Sequence, residues 1–327
     1  MQYTVLGKTG LKVSKIGFGA WGIGGGAPRL RWADMWKAND ADSKKSLALA
    51  HKHGINFYDT ALIYGDGHSE RLIAEVLGDK DIVILTKVPP KNWHWPALPT
   101  YNINDVFPKD HILEKAHESY KNLGGKTIDI LLLHVWTDAW IGKNDWREAF
   151  RVLKKEGIAK FFGVSVNDHE PESVMKLVES EEIDVIEIIC NIFDQSPTDK
   201  LFPLCREKNI GTIARAPLDE GSLSGAFNYN TAFNDWRKDY FTKDRLKITV
   251  DKVNKIKNKL VTPDRTMAQI ALKFCISGSG ADIAITGMRN PHHVPENAKS
   301  VDIKLSDEEM EYLRKKRWVR NFYPPDV

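Results

Sequence analysis

Residues 128–134 read Ile-Asp-Ile-Leu-Leu-Leu-His. The apolar residues of Ile130-Leu131-Leu132-Leu133 do not alternate with polar ones, so the run reads as a parallel strand covered by helices on both faces rather than as a strand with one wet side. Working outward, the same kind of short apolar or aromatic run recurs at Ile16 to Gly19, Asn56 to Asp59, Ile82 to Lys87, Phe161 to Val166, Val185 to Cys190, Thr212 to Ala216 and Ile283 to Gly287. Each run is followed by polar turn residues, and stretches of helical periodicity separate them. Eight such runs predict an α/β fold of the (β/α)₈ TIM-barrel class, occupying residues 1–327 as a single domain.

The segments around these strands carry their own end signals. Tyr3 to Leu6 and Lys12 to Val13 flank Gly7-Lys8-Thr9-Gly10, which predicts a hairpin capping one barrel end. Pro108 to Asp110 should open a helix that stops at Gly124-Gly125, and Thr262-Pro263 another that ends before Gly278. Three insertions, Gly24 to Asp42, Pro89 to Phe107 and Ala226 to Asp244, each follow a strand and should overhang the active end, because loops after barrel strands build the site. They carry Trp32, Trp36, Trp93, Trp95 and Trp236, which either pack the loops down or line a pocket.

Composition narrows the function. With 42% hydrophobic and 28% charged residues in 327, the chain is in the range of ordinary globular proteins. Lys and Arg total 47 against 44 Asp and Glu, a formal charge of only +3, and the signs are interspersed, so no nucleic-acid partner is expected. Cys190, Cys205 and Cys275 are odd in number and lie among apolar residues, which reads as reduced thiols and a cytoplasmic setting. No basic-then-apolar leader opens the chain and no apolar run approaches a bilayer span, so no membrane role is expected.

The ends of the second, third and fourth strands present Asp59, Lys87 and His134, with Tyr64 five residues past Asp59. Taken singly, a strand-ending Asp is a turn residue, a Lys a solvated charge and a His a satisfied core residue. Their joint placement where barrel enzymes carry catalytic groups favours a working set. Hydride delivery to a carbonyl leaves a developing alkoxide that needs a proton donor. A tyrosine can serve if a nearby cation lowers its pKa, which makes Tyr64 the donor, Lys87 the cation, Asp59 its ion-pair partner and His134 a hydrogen-bond partner of the substrate oxygen or of Tyr64 itself.

The chain resembles the aldo-keto reductase superfamily over nearly its whole length. The matching segments are Gly17-Phe18-Gly19-Ala20-Trp21, Phe57-Tyr58-Asp59-Thr60-Ala61 with Tyr64-Gly65, Leu85-Thr86-Lys87, Leu131-Leu132-Leu133-His134, Gly163-Val164-Ser165, Pro217-Leu218 with Gly221, and Glu296-Asn297. The resemblance implies that Asp59, Tyr64, Lys87 and His134 form a catalytic tetrad for NADP-dependent reduction of an aldehyde or ketone, with NAD as the other candidate cofactor. It also implies that Ser165, Asn167 and Glu187 meet the nicotinamide amide. Trp21, Pro217, Leu218, Glu220, Gly221, Ser222 and Gly225 would line the rest of the cofactor, with the small residues of the 218–225 loop wrapping the pyrophosphate. Gly287, Met288, Arg289, His293, Glu296 and Asn297 would hold the adenosine end. Asn290 before Pro291 reads as a helix N-cap, and Arg289 is the cation that matches a 2′-phosphate contact.

Several positions depart from the family pattern. Val166 separates Ser165 from Asn167, Glu187 stands where Gln is usual, Arg215 where an aromatic commonly stacks on the nicotinamide, and His293 where a second Arg is frequent. A Rossmann site is not supported, and Gly22-Ile23-Gly24-Gly25-Gly26 reads as a flexible loop. Trp21, Tyr64, Trp93, His134 and Phe193 are expected around a small-molecule carbonyl substrate, with a sugar-like carbonyl preferred because aromatic faces suit it. Two other readings are a nucleotide-sensing subunit with little turnover, since relatives of this barrel serve as channel-associated subunits, and a metal-dependent hydrolase using Asp59, His94 and His134. No H-E-x-x-H pair supports the latter, and no metal is expected.

Overall fold

A computed structural model describes residues 1–26, 38–142 and 145–322. Among the described residues ten strands are formed: β1 Tyr3–Val5, β2 Lys12–Ser14, β3 Ile16–Gly19, β4 Phe57–Asp59, β5 Val83–Val88, β6 Ile128–Leu133, β7 Ala159–Ser165, β8 Val185–Ile189, β9 Gly211–Arg215 and β10 Ile283–Gly287. β3 to β10 pair in parallel in chain order, and β10 closes back onto β3, giving a (β/α)₈ barrel. β1 and β2 form the expected antiparallel hairpin, whose Leu6 and Val13 belong to the barrel-interior cluster.

Closure explains the unbroken apolar runs. In β6, Ile130 and Leu132 join the interior cluster with Phe57, Val83, Leu85, Val185, Ile213, Ile283 and Ile285. Leu131 and Leu133 point outward into the larger core beneath the helices, and all four leucine and isoleucine side chains are buried. The alternation is present, but both faces are apolar, so no polar phase marks it. Continuing the inward phase by two residues along each strand gives Asp59, Lys87, His134, Ser165, Glu187 and Arg215 at the C-terminal mouth. Parity therefore selects the site.

The helix starting after Pro108 runs Lys109–Asn122 and is followed by Gly124 and Gly125 at φ 69° and 79°, as expected. Two helix starts differ from the sequence reading. Thr262 bridges Arg265 in a turn, and Met267–Lys273 begins instead at Thr266, whose hydroxyl and Gln269 form a reciprocal capping box. Asn290 does not cap directly: its Oδ1 accepts from His292 N–H at 3.0 Å, and the helix starts one residue later, at His293–Ala298. The 22–26 glycine run is not simply a loop, since Trp21–Gly24 makes one helical turn. A Cβ on Gly24 would sit 2.7 Å from the Tyr64 carbonyl, so this glycine lets the turn pack directly on the Tyr64 backbone.

The three cysteines are buried free thiols. Trp32 and Trp36, and most of the first insertion, lie outside the described residues. Among the described residues no helix is long and apolar enough to cross a membrane.

Candidate active site

Lys87 is completely buried at the end of β5. Its Nζ donates to Asp59 Oδ1 from β4 and to the Thr60 carbonyl at 3.0 Å, and lies 3.3 Å from Glu187 Oε2 across the mouth. The same Nζ is 5.4 Å from the centre of the Tyr64 ring. Tyr64 in turn meets His134 edge to face, with ring centroids 6.0 Å apart, and His134 also meets Trp95 edge to face at 5.7 Å. Asp59, Tyr64, Lys87 and His134 therefore share one cluster, as their strand positions led us to expect, with Glu187 added to it.

Burial and charge set the protonation states. Burial opposes the Lys87 charge, but Asp59 and then Glu187 outweigh it and hold the ammonium above its ordinary range. Burial, reinforced by Glu187 and opposed by Lys87, pushes the Asp59 carboxyl up to about 8. Burial, with Lys87 and Arg215 adding to it, holds His134 well below its ordinary value, so the imidazole is neutral. For Tyr64 the expectation of a lowered pKa is not met. Burial raises the phenol, and the pull of Lys87 the other way is offset by Asp59 and Glu187.

Arg215 Nη2 pairs with Asp168 and donates to the Val166 carbonyl at 3.1 Å, and its Nε lies 3.9 Å from Glu187. The guanidinium is thus tied to the β7 loop, a partner that the sequence could not announce across 47 positions. Ser165 is paired in register with Glu187 at the mouth. Asn167 is placed nearby, but its side chain is committed. Its Oδ1 accepts from Ala97 N–H at 2.9 Å, and its Nδ2 donates to the Ala97 carbonyl at 2.9 Å and to Glu170 at 3.0 Å. It anchors the 89–107 insertion, which corrects the expectation of a free amide contact.

The 217–225 loop follows Ala216, itself at positive φ, and is a broken 3-10 segment in which Asp219, Glu220, Gly221 and Gly225 also have positive φ. Its backbone donors are not all free as expected, since Gly221 and Leu223 N–H both reach the Leu218 carbonyl at 3.0 Å. Pro217 and Ser222 are buried and Leu218, Glu220, Gly221 and Gly225 half-buried. A feature absent from the sequence reading secures this loop: Arg320 near the C-terminus grips Asp219 with two hydrogen bonds of 2.8 and 2.6 Å. Arg320 also lies over Trp318 and Phe193. Phe193 is only 1% exposed beneath Trp318, so it packs in the core instead of facing a substrate.

Beside the mouth, Arg289 runs along Gly22, where a Cβ would come within 3.4 Å of its chain. Gly22, Lys45, Asn234, Arg289 and His292 line a cavity of about 570 Å³. His293 is exposed at the helix start, and Gly287 is exposed at the end of β10 while Met288 is fully buried. Glu296 accepts from Thr266 Oγ1 at 2.6 Å, and Asn297 is buried one residue on. Trp21 meets Trp236 at 6.1 Å, and Trp93 meets Trp95 at 6.4 Å. His94 stands against Tyr101, with ring centroids 5.9 Å apart. Among the described residues no group of three His, Cys, Asp or Glu is arranged to hold a metal.

The closed parallel barrel thus gathers Asp59, Tyr64, Lys87 and His134 at its mouth. The chain matches the model of the aldo/keto reductase family over residues 15–317 and belongs to that family. It is 27% identical to a probable voltage-gated potassium channel subunit beta of Arabidopsis thaliana, over 93% of this chain and 92% of that one. It is 26% identical to an NADH-specific methylglyoxal reductase of Escherichia coli, over 96% and 98%. The structure resembles that of a glycerol dehydrogenase from Gluconobacter oxydans with a TM-score of 0.74 and 25% identity, covering 94% of this chain and 92% of that one. The chain is an oxidoreductase of the aldo-keto reductase type.

Proposed function

We propose that this protein is a cytoplasmic, single-domain reductase of small aldehydes or ketones that uses NADP(H) and has Tyr64 as its proton donor. The observation that carries the reading is the position of Lys87 Nζ, bonded to Asp59 and 5.4 Å from the centre of the Tyr64 ring, with a neutral His134 edge to face with the same ring. The residues fit the cofactor: His134 Nδ1 is buried with no hydrogen-bond partner among the described residues, and two cations, Lys45 and Arg289, line the adjacent cavity.

A bound reduced nicotinamide supplies the hydride. His134 orients the carbonyl oxygen by a hydrogen bond to its neutral ring. Tyr64, kept protonated by burial, gives its proton to the oxygen as charge develops there, and Lys87 stabilises the phenolate left behind. Asp59 keeps Lys87 in place. Ser165 and Glu187 would meet the nicotinamide amide, with Glu187 Oε1 as an acceptor. Arg289 and Lys45 would meet the 2′-phosphate. Trp21, Trp93 and Trp95 offer aromatic faces to a substrate, which favours a hydroxylated, sugar-like carbonyl.

The test is oxidation of NADPH and NADH with 4-nitrobenzaldehyde and a panel of sugar, aromatic and keto-acid carbonyls. The account expects turnover with a preference for NADPH, and loss of that preference in Arg289→Ala through a raised KM for NADPH alone. Cofactor binding without oxidation would favour the quiet regulatory subunit, the reading to which likeness to a channel subunit points.

A further inference from the structure

Lys87 faces two carboxylates. Asp59 bonds it from β4 and Glu187 Oε2 approaches to 3.3 Å from β8, and all three side chains are at most 5% exposed. Of the remaining charged groups around this triad, Arg215 on β9 reaches Glu187 only at the limit of ion pairing, with Nε 3.9 Å from Oε1, and its guanidinium is bonded to Asp168, whose charge it balances. His134 on β6 is neutral, Tyr64 keeps its proton, and β7 contributes Ser165. One ammonium against two carboxylates leaves a buried excess of one negative charge, which a low-dielectric site cannot hold cheaply.

We propose that Glu187 is a positioning residue that makes the site exchange a proton for a positive ring: the Asp59–Lys87–Glu187 triad carries one extra proton, and releases it when an oxidised, cationic nicotinamide binds. The exchange rests on the cofactor reading given above. It balances, since the triad with its proton is neutral, and so is the triad without the proton but beside the ring cation. The displaced proton passes to the buffer, and a reduced ring, being uncharged, displaces none. The elevation of the Asp59 carboxyl by burial and by Glu187 places the exchange near neutral pH. Glu187 thereby favours the oxidised cofactor over the reduced one as pH rises, and tilts the bound equilibrium toward alcohol oxidation. A glutamine would leave one ammonium with one carboxylate and nothing to exchange.

Calorimetric titration at pH 7 in phosphate and in Tris, which differ in protonation enthalpy, counts the protons. NADP⁺ and NADPH share their phosphates, so the difference between them isolates the ring, and NAD⁺ with NADH serves if that pair binds better. The wild-type protein is expected to release about one proton more with the oxidised form. Its preference for that form should grow up to about tenfold per pH unit between pH 6 and 8. In Glu187→Gln both the proton difference and the pH dependence should vanish. Equal proton counts for the two forms in the wild-type protein overturn the proposal, whether or not Glu187→Gln folds. Binding of none of the four nucleotides overturns the cofactor reading and the proposal with it.

Discussion

At the residue scale the site is governed by competition for one ammonium. Lys87 is held by Asp59 and approached by Glu187; burial raises the Tyr64 phenol, the two carboxylates offset the downward pull of Lys87, and the phenol stays protonated. A protonated donor is what reduction requires. His134 makes a second claim testable on the folded state alone. Its pKa is depressed on folding by burial first and by Lys87 next, so below the unfolded value of about 6.5 the unfolded chain binds a proton that the folded one refuses. The stability it confers is present above that value and lost as pH falls, at about 1.4 kcal/mol per pH unit. Urea unfolding of the wild type and His134→Gln between pH 7.5 and 5 should show a steeper loss in the wild type. Parallel curves would mean that the ring takes up a proton in the fold. Strand ends made Asp59, Lys87 and His134 legible in the sequence, and the family resemblance added Glu187 and Arg215. Asn167 and Arg215 were legible as positions but not as contacts, because Ala97 and Asp168 reach them through loop conformations that no local pattern encodes.

At the scale of elements, the 217–225 loop depends on the end of the chain. Arg320 and Asp219 are both nearly buried, with two hydrogen bonds between them, and Trp318 and Phe193 cover the guanidinium. Removing one partner of such a pair leaves an uncompensated buried charge and costs about 3–5 kcal/mol. Arg320→Leu should therefore lower unfolding free energy by an amount in that range and speed amide hydrogen exchange in residues 218–225. A loss below about 1 kcal/mol with unchanged exchange would show that the loop holds its shape unaided. Loop chemistry was visible in the small residues of 218–225, but the latch was not, since it joins segments 101 positions apart. Helix starts were misjudged by one to a few residues for a local reason: Thr262 and Thr266 are both plausible caps, and the glutamine three residues after Thr266 decides between them.

At the scale of the whole molecule, barrel closure was the most legible property, because eight doubly buried strands leave few other architectures. Closure also sets tolerances. A Cβ on Gly163 would lie 1.9 Å from the Val185 carbonyl, where β7 and β8 pair. Gly163→Ala must spread these strands, at a cost of about 1–3 kcal/mol, and it should weaken cofactor binding as well, since Ser165 and Glu187 lie directly above. Thermal unfolding and cofactor titration would register both effects, and an unchanged midpoint would mean that the barrel yields more freely than its packing indicates. The central claim remains the proton donor. Single-turnover reduction of 4-nitrobenzaldehyde by the NADPH complex of Tyr64→Phe, beside a fluorescence titration of NADPH, tests it most directly. The account predicts unchanged NADPH affinity with a hydride-transfer rate lowered by about 10²- to 10⁴-fold. A near-normal rate would contradict it.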